Sequence, residues 1–223
     1  MEELQNPIVF TIPVLDGIPV SQSVVVSWIV MAVLIAASLL LTCRLKVRGP
    51  GRIQAGLEMA VEFLNQFAVS NMGERGSRFA PYLGTVGLYI FLCNVIGVFG
   101  LAPPTKDINV TAALAVMSAL LIYGAQFRYR GLAGGLKKFA EPMPILLPIN
   151  LMEIVIRPLA LCMRLFGNIL GAFIIMELVK MLVPVVVPVP LSLYFDLFDG
   201  GIQAVVFVFL TALFTGESIK DEA

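Results

Sequence analysis

The sequence predicts an all-α, polytopic membrane protein with about five transmembrane helices, one interfacial amphipathic helix and a C-terminal pair of long tilted helices. Three observations carry that prediction. Hydrophobic residues make up 59% of the chain and charged residues only 13%, a balance too apolar for a soluble domain. Apolar runs of about bilayer length recur along it. Lys and Arg gather in two of the segments between those runs. Lys+Arg and Asp+Glu both total 15, and no basic run is interleaved with aromatics, so nucleic acid is not an expected partner whereas membrane lipid is. Cys43, Cys93 and Cys162 stand singly in apolar segments, without zinc-site or disulfide spacing. The chain has no histidine. No metal site and no cofactor are therefore expected, and any proton chemistry falls to carboxylates.

Residues 1–23 form the expected extracytoplasmic N-terminus. They lack the basic region and cleavable apolar core of a signal peptide, and Pro7, Pro13, Gly17 and Pro19 are expected to keep them irregular. The first span is 24–43, with Trp28 as an interfacial anchor. Arg44, Lys46, Arg48 and Arg52 follow it and no Lys or Arg precedes it, which puts the N-terminus outside and this loop in the cytoplasm. Within 53–72, Ile53, Leu57, Val61, Leu64 and Ala68 recur at helical spacing with Glu58, Glu62 and Asn65 between them. That pattern suits an amphipathic helix on the cytoplasmic surface.

The second span is 82–102, broken outside by Pro103 and Pro104, and the third is 110–127. Arg128, Arg130, Lys137 and Lys138 then mark a second cytoplasmic loop, against which only Lys106 dissents. From 145 to 183 the chain stays apolar for about 40 residues, roughly 60 Å as helix against a hydrocarbon core of about 30 Å. Such a helix must tilt, or kink at Pro158. Residues 184–190 supply an uncharged outer turn, and 191–215 run back to a cytoplasmic C-terminus carrying Glu217, Lys220, Asp221 and Glu222. No repeat or composition shift divides the chain, so residues 1–223 are expected to be a single membrane domain.

The functional expectation centres on residues 157–171, RPLALCMRLFGNILG. A charge near the middle of a membrane helix costs roughly 2.5–3.5 kcal/mol on insertion scales, so Arg164 must face protein or water. At about 100° per residue, Asn150, Glu153, Arg157, Arg164, Asn168 and Gly171 share a sector of roughly 60°. A polar stripe with small residues on it suits contact with another packed or moving surface. The plainer alternative is that Arg157 and Arg164 pair internally with Glu153 and Glu177 and only hold a bundle together. On the last helix Asp196, Asp199 and Gln203 share one face. A turn at 184–190 would set Glu177 opposite residues 196–199, bringing three acids together. Against this, Glu177 could simply pair with Lys180 on its own helix.

Four segments give the chain a likeness: MRLFGN at 163–168, PINLMEIVIRP at 148–158, IQAVVFVFLT at 202–211 and the looser DINVT at 107–111. Together they resemble subunit a of the rotary F-type ATP synthases, the stationary membrane partner of the rotating c-ring. The resemblance implies that Arg164 is the essential stator arginine, that Asn168 lies one turn on, that Gln203 approaches it from the last helix, and that Glu153 is a cytoplasmic-side acid. It also implies partners: the c-ring, the peripheral-stalk subunit b and the other ATP synthase subunits. It implies a multi-pass protein of a bacterial-type cell (inner) membrane that is not a catalyst alone. Two positions depart from the family pattern. Nine residues after the arginine many members carry an acid where this chain has Phe173, with Glu177 one turn later, and Asp196 stands where some members use histidine. Glu177, Asp196 and Asp199 therefore compete as carriers of the outer half-channel.

Physical chemistry supports the same mechanism. A guanidinium stays protonated even when desolvated, so it separates two aqueous half-channels without shuttling a proton between them. It also attracts a rotor carboxylate and makes it release its ion. Each ion crossing supplies roughly 2.3 kcal/mol per 100 mV. A secondary transporter binding an anion at Arg164 is the rival from another class, but such folds show paired repeats with broken helices. An enzyme acting alone would need a nucleophile elbow or metal cluster that the sequence lacks.

Overall fold

Five segments are long and apolar enough to cross a membrane: Gln22–Thr42, Ala80–Phe99, Ile108–Gly131, Leu147–Leu182 and Pro190–Ile219. The computed structural model describes residues 8–12, 18–43, 45, 51–138, 145, 147–183 and 188–219. Arg44, Lys46, Arg48, residues 184–187 of the expected turn, and Lys220, Asp221 and Glu222 lie outside the described residues, as do the side chains of Lys137 and Lys138. The protein is an all-α membrane fold, with one small addition at the N-terminus.

That addition corrects the expectation of an irregular N-terminus. Ile8–Ile12 (β1) pairs antiparallel with Ile18–Ser21 (β2), with Thr11 opposite Pro19 and an irregularity between Ile8 and Phe10. In a two-stranded sheet both strands are edges, so Pro19 can sit in one without costing an inner ladder bond. The β-branched and aromatic run IVFTI outweighs the flanking prolines. Helix α1 (Gln22–Thr42) follows directly. Only Ser23, Val26, Ser27 and Val30 of it are buried, all in its first half. There the Tyr89 hydroxyl donates to Ser27 Oγ at 3.0 Å, and the exposed Leu39 and Leu40 further along suit lipid.

Helix α2 (Arg52–Met72) starts one residue from the expected bound and is amphipathic as read. Its contacts come late: Ala68 and Met72 are buried, while Ile53, Met59 and Phe63 are exposed. Helix α3 (Ala80–Val95) tightens into a 3-10 turn at Ile96–Phe99 and stops at Gly100, whose φ of 77° is left-handed. The helix thus ends before Pro103 and Pro104, because a glycine in that conformation closes it first. Helix α4 (Ile108–Lys138) begins where the Asp107 carboxylate accepts the Asn109 backbone N–H at 3.0 Å.

Helix α4 runs beyond the expected third span. That span ends at 127, where charge begins, and helical structure continues past Arg128 and Arg130 to Lys138 with one break at Gly131, φ 71°. Charge marks where the hydrocarbon ends and says nothing about where the helix ends. The Gln126 side-chain amide donates to the Gly135 carbonyl at 2.9 Å, and a Cβ on Gly135 would meet the Phe127 ring at 2.6 Å, so the segment after the break folds against α4.

Helix α5 (Leu147–Leu182) is one helix of 36 residues with Pro158 inside it, about 54 Å long and so too long to stand upright in a bilayer. The last span is composite. Helix α6 (Pro188–Ser192) leads into a π-helical stretch, Leu193–Asp199, and then α7 (Gly200–Ile219). Helix α7 lies chiefly against α3 and α4, whereas α5 packs chiefly on α4 and touches α7 more lightly. The core joins Ile90, Leu114, Leu161, Leu165, Ile169 and Phe207 from four helices. Polar side chains stitch the apolar contacts: Tyr82 to Ser118 at 3.1 Å, and Thr105 to Asn94 at 2.7 Å.

Candidate functional site

The polar stripe on α5 divides into two environments. At the end of the bundle that carries the basic residues, Arg157 is held from three directions. Its Nε and Nη2 donate to Glu153 Oε2 at 3.0 and 2.5 Å, its Nη2 reaches Glu217 Oε2 of α7 at 3.2 Å, and its guanidinium lies 4.9 Å from the centre of the Phe214 ring. The Glu153 partner sits four residues away, one helical turn, as the spacing suggests. The Glu217 and Phe214 contacts were not foreseen, since both residues read as part of a return helix and its tail. Asn150, at the same end, is half-buried and engaged.

Arg164 lies seven residues further on, about 10 Å along the axis, and its side chain is exposed. Among the described residues it makes no hydrogen bond or ion pair. The internal pairing with Glu177 therefore does not occur. Asn168, one turn on, is exposed as well. A Cβ placed on Gly167 or on Gly171 would meet nothing within 4 Å. Immediately beside this open strip the helix is anchored, with Leu161, Cys162, Leu165 and Ile169 all buried. The folding of α5 thus fixes the backbone under Arg164 while leaving its guanidinium, Asn168 and two glycines facing away from the chain's own core.

Gln203 sits elsewhere. It is buried on α7 at 6% exposure, and it makes no hydrogen bond with Arg164 among the described residues. The fold therefore does not join these two residues within the chain.

At the opposite end Glu177, Asp196 and Asp199 line one cavity of about 950 Å³, together with Asn94, Lys106 and Lys180. The three acids do converge, but not as equals. Lys180 Nζ donates to Glu177 Oε1 at 2.7 Å, and Ser192 Oγ donates to Asp196 Oδ2 at 2.9 Å. Asp199 has neither kind of partner among the described residues. The within-helix Glu177–Lys180 pair and the shared cavity are thus both real. Lys106, the one cation that dissented from the charge pattern, lies 4.2 Å from the centre of the Phe173 ring, at the position where the family pattern expects an acid.

Two further features escaped sequence reasoning. Asp196 and Asp199 both lie in the π-helical stretch, which no periodicity argument at 100° per residue detects. Asn94, buried at 3% exposure, donates through Nδ2 to the Gly200 carbonyl at 3.1 Å while its Oδ1 accepts from Thr105. It holds α7 where the π-helical stretch ends, against a glycine whose Cβ would come within 2.6 Å of Asn94 Cβ. A lone amide in an apolar span was its available signal. Among the described residues no group of His, Cys, Asp and Glu is arranged to hold a metal ion.

An open arginine strip on a membrane-spanning helix, flanked by an acid-lined cavity on one side and an ion-paired cluster on the other, fits a subunit that works against another membrane component. A family model described as ATP synthase A chain matches residues 24–216. The chain therefore belongs to the ATP synthase subunit a family, the ion-translocating membrane stator subunits of the F-type complex.

Proposed function

We propose that this chain forms two aqueous half-channels against the rotating c-ring, with Arg164 separating them and displacing the ion from each passing rotor carboxylate. The observation that carries this reading is the unpartnered Arg164 strip, in which a costly charge has no use inside the chain and the adjacent Gly167 and Gly171 leave room for a facing helix. The cavity lined by Glu177, Asp196 and Asp199 serves as the outer access path. Glu153 and Arg157 flank the inner one. Asn168 contributes polar surface one turn from the arginine, Asn150 extends the stripe inward, and the buried Gln203 acts from within α7.

In this reading the N-terminus is outside and the basic segments, α2 and the C-terminus face the cytoplasm of a bacterial-type cell. Residues 1–223 act as one membrane domain. The exposed apolar side chains of α2, among them Ile53, Met59 and Phe63, rest on lipid or on peripheral-stalk subunit b. ATP chemistry belongs to other subunits of the complex. The deciding experiment places Arg164→Ala in an assembled complex and measures ATP-driven ion pumping in vesicles. Loss of pumping with intact assembly is expected, and normal pumping overturns the reading.

A further inference from the structure

Arg78 closes the 3-10 turn Glu74–Arg78, just before the span Ala80–Phe99 begins, and Arg128 lies in the last turn of the span Ile108–Gly131. Both stand where hydrocarbon gives way to headgroups, at the end of the bundle that carries the basic residues. Cations at that level satisfy the charge rule wherever they point. These two, far apart in sequence, line the same hollow of about 390 Å³, and among the described residues no carboxylate lines it with them. Both side chains are exposed, and neither makes a hydrogen bond or ion pair among the described residues.

The neighbouring arginines are placed differently. Arg75 lies 5.3 Å from the centre of the Tyr129 ring, Arg130 Nε donates to the Ser218 carbonyl at 3.2 Å, and Arg157 is held by two acids. Each of those has a use inside the chain. Two guanidiniums on one hollow repel each other, and an anion between them turns that cost into a gain.

The hollow has a shape as well as a charge. Leu120, Gly124 and Arg128 follow one another at four-residue spacing along α4, with Leu121, Ala125 and Tyr129 as the adjacent row. The small residues in the middle turn leave a trough, since a Cβ on Gly124 would meet nothing within 4 Å. At the charged end Phe79 meets the Tyr129 ring edge-on, with centroids 6.2 Å apart. From Arg128 to Leu120 is about 12 Å along the helix, and Leu120 is 69% exposed. The hollow thus runs from a dibasic head to an apolar strip open to the bilayer.

We propose that this hollow binds one anionic glycerophospholipid, with its phosphate diester between Arg78 and Arg128 and an acyl chain over Gly124 and Leu120. A guanidinium fork matches phosphate oxygens, and basic pockets between membrane helices suit such headgroups. A free phosphate would use only the charged end, and an acidic peptide would leave the trough unused. The bound phosphate ties the start of α3 to the end of α4. None of these residues belongs to the proposed ion path, so the proposal stands or falls apart from the half-channel reading.

The test uses the full-length chain in phosphatidylcholine vesicles. Leu120→Trp in a Trp28→Phe background leaves one tryptophan, at the hollow, and its quenching by brominated phosphatidylglycerol is compared with that by brominated phosphatidylcholine. One arginine near a membrane surface is worth roughly fivefold in binding an anionic lipid, so a preference of about 25-fold is expected, falling about fivefold in Arg78→Gln or Arg128→Gln and vanishing in the double variant. A preference that survives the double variant overturns the proposal. So does an equal preference at Ile35→Trp, an exposed position on α1, which would reflect surface charge alone. Loss of the preference in millimolar inorganic phosphate, but not in chloride of equal ionic strength, would assign the hollow to a small anion and overturn it too.

Gly124→Leu keeps both arginines and fills the trough. It is expected to cut the preference at least fivefold by displacing the chain, and an unchanged value sinks the lipid assignment. In the assembled complex, washed in detergent, phosphatidylglycerol retained by the parent should be lost from the Arg78→Gln/Arg128→Gln variant. Equal lipid retention with loss of another subunit would give the arginines to a protein acid instead, against the proposal.

Discussion

Arg157 and Arg164 are the same residue type, on the same helix and the same stripe, about two turns apart, yet the fold treats them oppositely. Arg157 has two carboxylates and an aromatic ring around it. Arg164 is exposed and has no partner among the described residues. A half-buried guanidinium held by acids of two helices ties those helices together, whereas one left open on an apolar span is available to something outside the chain, which is the role proposed for Arg164.

The comparison can be broken most directly at Arg164. Arg164→Ala is expected to abolish ion-driven ATP synthesis while leaving insertion intact, since no internal contact is lost, and Arg164→Lys is expected to fail too because an ammonium can give up its proton. Synthesis rates and the amount of subunit in the membrane check both halves. Next in size is Gly167→Leu. The position faces open space, so the isolated chain tolerates the change, but a facing rotor helix would be pushed away. A fall of tenfold or more in pumping is about 1.4 kcal/mol at the interface, and unaltered pumping would show that no partner approaches there. Gly216→Ala serves as its opposite: the added Cβ would come within 2.5 Å of the Asn71 carbonyl, so the loss should appear in assembly.

Arg157→Ala should do less than either Arg164 change. It removes the bridge between α5 and α7, costing about 1 kcal/mol because both carboxylates reach water, and leaves pumping reduced but measurable. Thermal stability of the purified subunit against ATP-driven pumping separates the two effects, and complete loss of pumping at full stability would erase the contrast between the arginines. Smallest of all should be Lys180→Gln, which releases Glu177 from its ion pair at the cavity. A modest change in the dependence of synthesis on outer ion concentration is the expected reading, and its absence would place Glu177 outside the path.

The sequence by itself determined the class, the five spans and the amphipathic helix, because bilayer length and helical periodicity are local properties of composition. It also singled out the residues whose polarity is unusual for a membrane span: Arg164 in MRLFGN, Glu153 and Arg157 at one-turn spacing, and the acids Glu177, Asp196 and Asp199. Helix ends were less legible, since charge reports the membrane surface while Gly100 and Gly131 end or break helices through backbone conformation. Only the tertiary structure decided the pairings. Which acid meets Arg157 depends on where α7 crosses α5, which acid keeps a free carboxylate depends on a π-helical turn and a nearby lysine, and Gln203 is drawn into the core by α3 and α4. Those are long-range contacts, and a linear pattern carries no record of which helix becomes whose neighbour.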